Sequence, residues 1–407
     1  MFTSLLKITS FYKDFLTGYY LSNPDITGKS FDVQYKHLMD QGYGYSDYFP
    51  RYLAKNHDIR SFEYVYNAEP LQQAWARENG CAFSGDELLL EQIARFQPEV
   101  LFFQNSTSFH SGFFERVKEK VKSVKLLVGH ICSPYTAANL EAFRRFDLML
   151  SCSEKFRAEL LEQGITSYLF PHAFEASLVP EHALKQSPEN DIIFVGSLLG
   201  RSEFHRTRIE YIEEILRRGL PLKMYGMIEE DAWPLLKAKQ AVYLGIKGAE
   251  KLGMKGHLKS PALRKIAQLN EMPVNARYSQ AIKQGIIKDQ LYGKDMLEEI
   301  SRHAISFNIH AQVAGDYAAN IRMFEATGAG SLLVTDQKKN ISELFEPGEE
   351  VLTYRDREEC MEKLRWALDN PEKAAEIAAR GKERTLKDHS LEKRVELLME
   401  ILEKEHK

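Results

Sequence analysis

The chain has 407 residues, of which 44% are apolar and 28% are charged, a composition typical of globular domains. This length suggests about two to three domains. The net charge of −4 argues against a dedicated nucleic-acid-binding protein. No apolar run approaches the roughly 20 residues of a membrane span, and the N-terminal run is too short for a signal peptide, so we expect a cytoplasmic protein.

The cysteines are few and widely separated. They lie at Cys81, Cys132, Cys152 and Cys360, and no two of them form a CxxC pair. We therefore expect neither a metal cluster nor a disulfide framework, and a reducing compartment such as the cytosol.

The first half of the chain alternates short apolar runs with amphipathic helical patterns. Strands are predicted at 5–9, 100–103, 126–130, 147–151 and 167–170, with helices at 86–96 and 154–164. Continuously apolar strands between amphipathic helices indicate a parallel sheet covered on both faces. The aromatic segment 9–24 is predicted to be a loop, which either stacks on a sugar ring or packs in the ordinary way.

The second half resumes this pattern after a break. Residues 173–190 are polar, contain two prolines and have no clean period, so they are predicted to be a linker. Strands are then predicted at 191–197, 222–226, 304–310 and 350–354, and helices at 207–219, 294–303 and 341–346. The predicted domains are 1–172 and 191–386.

Residues 387–407 are predicted to form a C-terminal helix. Leu391, Val395, Leu398 and Leu402 form one apolar stripe along it, and this stripe needs a surface to cover. The helix crosses back to the first domain, caps its own domain, or covers a dimer partner.

The segment 320–336, NIRMFEATGAGSLLVTD, predicts a helix, a small-residue stop and a buried strand. The preceding strand carries Asn308 and His310 to the carboxyl edge of the sheet, where ligands of α/β proteins bind. The free N–H groups and the positive dipole end of a helix that starts near Asn320 suit a diphosphate.

Three further residues of this helix fit the same ligand. Arg322 adds a charged fork for phosphate, Glu325 is an acceptor that suits sugar hydroxyls, and Gly328 permits close approach of backbone. The alternative is a surface i,i+3 ion pair worth about 0.2–0.5 kcal/mol, followed by a plain helix stop.

The first strand of the second domain offers another candidate anion site. It ends at Gly196 and Ser197, and basic residues follow at Arg201, Arg206 and Arg208. Tyr225 ends the next strand at the same expected edge, where it faces a nucleotide base or is a half-buried core residue.

Residues 293–394 resemble the C-terminal half of the CgeB-like glycosyltransferases, a branch of the GT-B group 1 type. The resemblance is carried in order by KDMLEEISRHAISFNIH, NIRMFEATGAGSLLVTD, ISELFEPGEEVLTYRD and DNPEKAAEIAARGKERTLKDHSLEKR. It implies an α/β protein with the GT-B fold, in which two Rossmann-like domains face each other across a cleft and the C-terminal helix crosses back to the first domain.

The resemblance also implies an activity and a donor site. These proteins transfer a sugar from a nucleotide-sugar donor, generally without a metal, so we expect no cofactor and no metal ion. Glu325 takes the position that contacts the donor ribose, and Asn320 and Arg322 take those that receive the diphosphate. Gly196, Ser197 and a following arginine take positions that face the donor from another loop.

One position departs from the family pattern. Related retaining enzymes often carry a second glutamate about eight residues before the ribose-binding one, and here Tyr317 stands in that place, beside Asp316. We consider Asp316 as a catalytic substitute for the missing glutamate. We expect the transfer to retain the configuration of the sugar, and this outcome depends on that substitute.

The acceptor is expected to be a glycan, a lipid-linked sugar or a protein rather than a nucleic acid. His130 ends a buried strand of the first domain, where it polarises an acceptor hydroxyl or is simply hydrogen-bonded at the strand end. The basic and apolar stretch 237–265 predicts peripheral contact with a membrane or an anionic acceptor, or a solvated basic face.

Two other functions fit the same sequence. One is a nucleotide-sugar epimerase or hydrolase on the same fold, which acts on the donor alone. The other is a non-catalytic scaffold, for which Tyr317 in place of an acid is the best support.

Overall fold

The computed structural model describes residues 2–183, 187–200, 203–251, 272–288, 291–310 and 314–405. They form an α/β protein with two parallel six-stranded sheets. The strands of the first sheet are β1 (Ser4–Thr9), β2 (Arg60–Val65), β3 (Val100–Phe103), β4 (Leu126–Ile131), β5 (Leu148–Ser151) and β6 (Ser167–Leu169). Those of the second are β7 (Glu189–Val195), β8 (Leu222–Tyr225), β9 (Ile286–Ile287), β10 (His303–Phe307), β11 (Leu332–Asp336) and β12 (Leu352–Tyr354).

Both sheets have the strand order of doubly wound folds. The first is ordered β2-β1-β3-β4-β5-β6 and the second β12-β11-β10-β7-β8-β9. Parallel neighbours require crossover connections, which α-helices supply here. The carboxyl ends of the strands in each sheet therefore meet at one edge, where ligands bind in such folds. The predicted pair of Rossmann-like domains is confirmed.

Helices connect the strands throughout. In the first half they are α1 (Lys13–Ser22), α2 (Phe31–Met39), α3 (Tyr48–His57), α4 (Glu69–Glu78), α5 (Gly85–Phe96), α6 (Ser111–Lys120), α7 (Ala137–Phe143) and α8 (Glu154–Glu162). In the second they are α9 (Glu203–Arg217), α10 (Trp233–Lys251), α11 (Gln280–Gly285), α12 (Gly293–Ser301), α13 (Ile321–Ala329), α14 (Ile341–Leu344), α15 (Arg357–Asp369), α16 (Pro371–Asp388) and α17 (Leu391–Glu405).

The prediction of a loop after the first strand was wrong. Residues 13–22 form α1, which buries Phe15, Leu16 and Tyr19 on one face. Phe15 stacks on Tyr43 with ring centroids 4.3 Å apart, so this aromatic segment packs within the protein. The sequence did not show the amphipathic period of a helix here, because aromatic and other apolar residues occur on more than one side of α1.

The C-terminal helix α17 packs on the first sheet, as the resemblance implied. Its stripe of Leu391, Val395, Leu398 and Leu402 joins a buried cluster with first-sheet residues such as Leu5. The other members of that cluster include Phe102, Val128, Leu150 and Phe170. The helix therefore covers an apolar sheet face that would otherwise contact water.

The predicted linker is tied to the start of α17. The Phe174 N–H donates to the His389 carbonyl at 2.9 Å, and the Leu391 N–H donates to the Phe174 carbonyl at 2.8 Å. The chain forms two compact units, residues 1–194 with 290–407, and residues 195–289. The second sheet thus contributes to both units, and the domain boundaries drawn from the sequence stay predictions.

The basic stretch 237–265 is described only as far as Lys251. There it forms the second part of α10, on which Trp233 and Leu244 are exposed. Among the residues with assigned positions, no helix combines the length and apolar character needed to cross a bilayer. Peripheral membrane contact stays a prediction.

Candidate functional site

The start of α13 is fixed to the second sheet by a chain of amides. Asn320 caps the helix, because its Oδ1 accepts from the Arg322 N–H at 2.9 Å. Its Nδ2 donates to Asn308 Oδ1 at 2.9 Å. Asn308 in turn donates to Thr335 Oγ1 at 2.9 Å, on the neighbouring strand β11. The helix N-terminus is therefore held at the carboxyl edge of the sheet, where the sequence predicted it.

His310 follows β10 at the same edge and is oriented by Asp336. The backbone N–H and Nδ1 of His310 lie 2.9 and 2.7 Å from Asp336 Oδ1. Burial alone would raise the pKa of Asp336, but His310 and Lys338 hold that pKa at about 2. Lys338 Nζ lies 3.1 Å from Asp336 Oδ2. An ionised Asp336 accepts from Nδ1–H, which fixes the orientation of the imidazole ring. Nε2 is buried and has no hydrogen-bond partner among the described residues.

Arg322 and Glu325 form an ion pair in the first two turns of α13. Arg322 Nη1 lies 2.8 Å from Glu325 Oε2, and the two side chains are only 19% and 15% exposed, so this is not the surface pair of the alternative interpretation. Burial raises the pKa of Glu325, and Arg322 opposes that rise. Oε2 is buried and receives no aligned hydrogen bond from the described part of the chain. The carboxylate therefore keeps acceptor sites that Arg322 does not fill.

Packing leaves no room for a side chain at Gly328. A Cβ atom at this position would lie 2.4 Å from the ring of Phe174. The helix then ends at Gly330, which adopts φ +91°, a conformation that favours glycine. Donor contact through Gly328 stays a prediction.

Asp316, the predicted catalytic substitute, is exposed at the surface. Its carboxylate pairs with Lys339 at 2.9 Å, and its side chain is 71% exposed. This ion pair lowers the pKa of Asp316. The buried group at this edge is instead the Asp336–His310 pair, and a catalytic role for Asp316 stays a prediction.

The remaining predicted donor residues lie in the unit 195–289. The Gly196 N–H donates to the Tyr225 carbonyl at 3.0 Å. Arg208 Nη1 donates to the Ser197 carbonyl at 2.9 Å. Tyr225 is buried, whereas Arg206 is exposed. Of the basic residues noted in the sequence, Arg208 is thus the one held against the β7–α9 loop, and Arg201 lies outside the described residues.

His130, at the end of β4, is hydrogen-bonded on two sides. Its N–H donates to Ser106 Oγ at 2.8 Å, and Nδ1 lies 3.1 Å from the Gln104 carbonyl. Burial, reinforced by Lys7 and opposed by the Gln104 carbonyl, lowers the pKa of His130 to about 4. The imidazole is therefore neutral near pH 7. Its catalytic role stays a prediction.

The expectation that no cysteines pair was wrong. A disulfide joins Cys132 and Cys152, whose Cα atoms lie 5.4 Å apart although they are 20 residues apart in sequence. The two residues directly follow β4 and β5, which are hydrogen-bonded neighbours. A crossover connection thus brings together cysteines that show no local motif.

Sequence reasoning missed several polar residues at the second-sheet edge. Asp336 ends β11 and Lys338 follows it, at the edge reached by His310, and Lys338 Nζ also donates to the Gly315 carbonyl at 3.2 Å. Asn340 accepts from the Ala318 N–H at 2.7 Å, which fixes the loop before α13. The sequence signal that could have revealed these residues is the polar run that directly follows the apolar strand β11, because ligands bind at the carboxyl ends of such strands.

Residues 260–400, about a third of the chain, match the sequence model of the family described as "Glycosyl transferase-like". No curated protein sequence matches this chain.

Three solved structures share the whole architecture. The sucrose-phosphate synthase of Thermosynechococcus elongatus is 10% identical, with a TM-score of 0.55 and coverage of 99% of this chain and 98% of that one. HepE of Anabaena in complex with UDP-glucose is 10% identical, with a TM-score of 0.55 and coverage of 98% and 99%. An α-glucosyltransferase in complex with UDP and a DNA 13-mer is 11% identical, with a TM-score of 0.57 and coverage of 98% of each chain. The chain therefore has the GT-B fold, and its residues 260–400 are similar to a glycosyl transferase-like domain.

Proposed function

We propose that this protein is a CgeB-like glycosyltransferase that moves a sugar from a nucleotide-sugar donor to an acceptor hydroxyl. The observation that carries the proposal is the buried ion pair of Glu325 and Arg322, which lies just past the capped start of α13. A carboxylate has several acceptor sites, and a ribose offers hydroxyl donors to those that Arg322 does not use. The helix N-terminus offers N–H groups and a positive dipole end to the adjoining diphosphate.

The charges near α13 favour departure of a nucleoside diphosphate. Arg322 lies in the first turn, and Lys338 holds the loop before the helix. Charge that develops on the leaving diphosphate is stabilised by such fixed donors, which supports a mechanism without a metal at the phosphates. The relatives that bind UDP or UDP-glucose make a uridine nucleotide the first candidate.

The His310–Asp336 pair gives this edge a second polar group. Nε2 of His310 is buried and has no hydrogen-bond partner among the described residues. We propose that it forms a hydrogen bond with a hydroxyl of the transferred sugar. The acceptor is proposed to be a glycan, a lipid-linked sugar or a protein, and the transfer is proposed to retain configuration.

A two-part experiment tests this function. Thermal unfolding is first measured with uridine, guanosine, thymidine and adenosine diphosphates and with their sugars, because a ligand that binds the native state raises stability. We expect one nucleotide class to stabilise the protein. A panel without any shift would instead favour a non-catalytic scaffold.

Product analysis with the stabilising donor then separates the two enzymatic functions. The proposal predicts that turnover depends on an added glycan, lipid-linked or protein acceptor. Rapid conversion of the donor alone to an epimer or to free sugar would replace it with an epimerase or a hydrolase. Glu325→Ala should abolish the shift and the turnover, and Glu343→Ala, an exposed glutamate on α14, is the matched control.

A further inference from the structure

The carboxyl edge of the first sheet holds a group of sulfur and imidazole side chains that the sugar-transfer proposal does not use. Cys132, Cys152 and His172 each place one ligand atom so that all three atoms lie within 4.8 Å of one another. Cys152 is buried and the other two are half-buried. Thiolate and imidazole are the ligands that Zn²⁺ prefers in proteins.

Three neighbouring strands bring these residues together. Cys132 follows β4, Cys152 follows β5, and His172 follows β6, and the three strands are consecutive in the sheet. The two cysteines thus directly follow hydrogen-bonded strands, and His172 lies a few residues beyond the end of β6. A site on rigid elements holds its ligands in place before an ion arrives.

A fourth nitrogen lies beside this group. His130 Nε2 is 3.4 Å from Cys132 Sγ, and Nδ1 of the same ring is 3.1 Å from the Gln104 carbonyl. A histidine that donates Nδ1–H to a backbone carbonyl presents a bare Nε2, which is the usual arrangement of a metal-ligating histidine. His130 therefore adds a second imidazole beside Cys132.

His172 has a comparable outer partner. Its Nδ1 lies 3.0 Å from the hydroxyl of Tyr45, which also accepts from the Ala173 N–H at 3.0 Å. Such outer contacts fix the ring orientation of a ligand. Arg394 is close by, since its Nη2 donates to the His172 carbonyl at 3.2 Å. Two thiolates and a divalent ion have no net charge together, so this guanidinium does not exclude the ion.

We propose that, when the Cys132–Cys152 disulfide is reduced, these two cysteines, His172 and His130 bind one thiophilic divalent cation of the Zn²⁺ type. The disulfide takes two electrons and two protons from a dithiol reductant, the S–S bond breaks and two thiols form. The ion then displaces both thiol protons to solvent and binds the two thiolates. About 2.3 Å separates zinc from sulfur and about 2.0–2.1 Å separates it from nitrogen in such sites, so the sulfurs move apart as the ion enters.

The test uses Co²⁺ as a spectroscopic probe on the full-length protein, stripped with a chelator and kept under argon with a phosphine reductant. We expect one Co²⁺ per chain, with thiolate-to-cobalt charge-transfer absorption and the visible bands of a tetrahedral ion, and displacement by Zn²⁺. The oxidised form of the same chain, verified by thiol counting, must bind none, and this comparison needs no mutation. Reduced protein that shows no thiolate band overturns the proposal.

Variants then assign the ligands. Cys152→Ser and His172→Gln should lose the tetrahedral spectrum, whereas Cys81→Ser, which changes a cysteine outside the group, should keep it. Tyr45→Phe should weaken binding about 10–100-fold, because it removes only an outer contact. A thiolate band that survives in Cys152→Ser, or disappears in Cys81→Ser, contradicts the assignment. Circular dichroism checks that each variant is folded.

Discussion

The two sheet edges of this protein hold opposite kinds of chemistry. At the second edge, Glu325 and His310 each have a buried atom without a hydrogen-bond partner in the described structure. At the first edge, a disulfide joins Cys132 and Cys152, and His130 is neutral and hydrogen-bonded. The carboxylate of Glu325 is a hard acceptor that suits the hydroxyls of a sugar nucleotide, whereas the paired sulfurs of the first edge suit a soft cation. We therefore propose that the donor binds at the second edge.

The largest expected effect is that of Glu325→Gln on sugar transfer. The amide keeps the size of the side chain but loses the charge, and hydrogen bonds to charged groups are worth about 1.5–3 kcal/mol each. We expect turnover at low donor concentration to fall about 100-fold or more, measured as kcat/KM. Glu343→Gln is the control, and equal activity of the two variants would remove Glu325 from the site.

Gly328→Ala tests whether this glycine serves packing. The added methyl group meets the Phe174 ring at 2.4 Å, so we expect a loss of about 1–3 kcal/mol in the free energy of unfolding, measured by denaturant titration. Gly18→Ala is the matched control, because that helical glycine has no other atom within 4 Å of its Cβ position. There the change should be neutral or stabilising. A Gly328→Ala protein of normal stability with weak donor binding would instead support a direct role in binding.

Asn320→Asp separates helix capping from diphosphate binding. Aspartate caps as well as asparagine but cannot donate to Asn308 Oδ1, so the free energy of unfolding should fall by about 0.5–1.5 kcal/mol, the contribution of one hydrogen bond. Its added negative charge repels a diphosphate at the helix N-terminus, and we expect nucleotide affinity to fall about tenfold, measured by calorimetry. Unchanged affinity would place the phosphates elsewhere.

His389, which precedes α17, should make stability depend on pH. Burial lowers its pKa from 6.5 to about 4, although the hydrogen bond to the Leu344 carbonyl opposes the shift. Among the nearby charges, Arg394 and Arg384 also lower this pKa, and Asp388 raises it. The unfolded chain therefore binds the proton first, so stability is full above pH 6.5 and declines as the pH falls towards 4. Between pH 7 and 5.5 this residue should account for a loss of roughly 1 kcal/mol. His389→Gln should show a flatter dependence in denaturant titrations, and an equally steep one would refute the assignment.

The fold and the second-sheet edge were largely predictable because their signals are local. Apolar strands between amphipathic helices indicated the two sheets, and one continuous segment of the chain carries Asn320, Arg322 and Glu325. Burial of that ion pair was not predictable, because a spacing of three residues fits exposed and buried pairs equally. The cluster of Cys132, Cys152 and His172 was not predictable either, since only the pairing of three strands brings these residues together.

A thermodynamic cycle between the protein and its ligand tests the central claim that Glu325 holds the ribose of the donor. Binding of the preferred nucleoside diphosphate and of its 2′,3′-dideoxy analogue is measured by calorimetry with the wild-type protein and with Glu325→Gln. The account predicts that the substitution weakens binding of the ribonucleotide strongly and that of the dideoxy analogue hardly at all, because the analogue lacks the hydroxyls that Glu325 accepts. An equal loss for both ligands, or no loss for either, would contradict it.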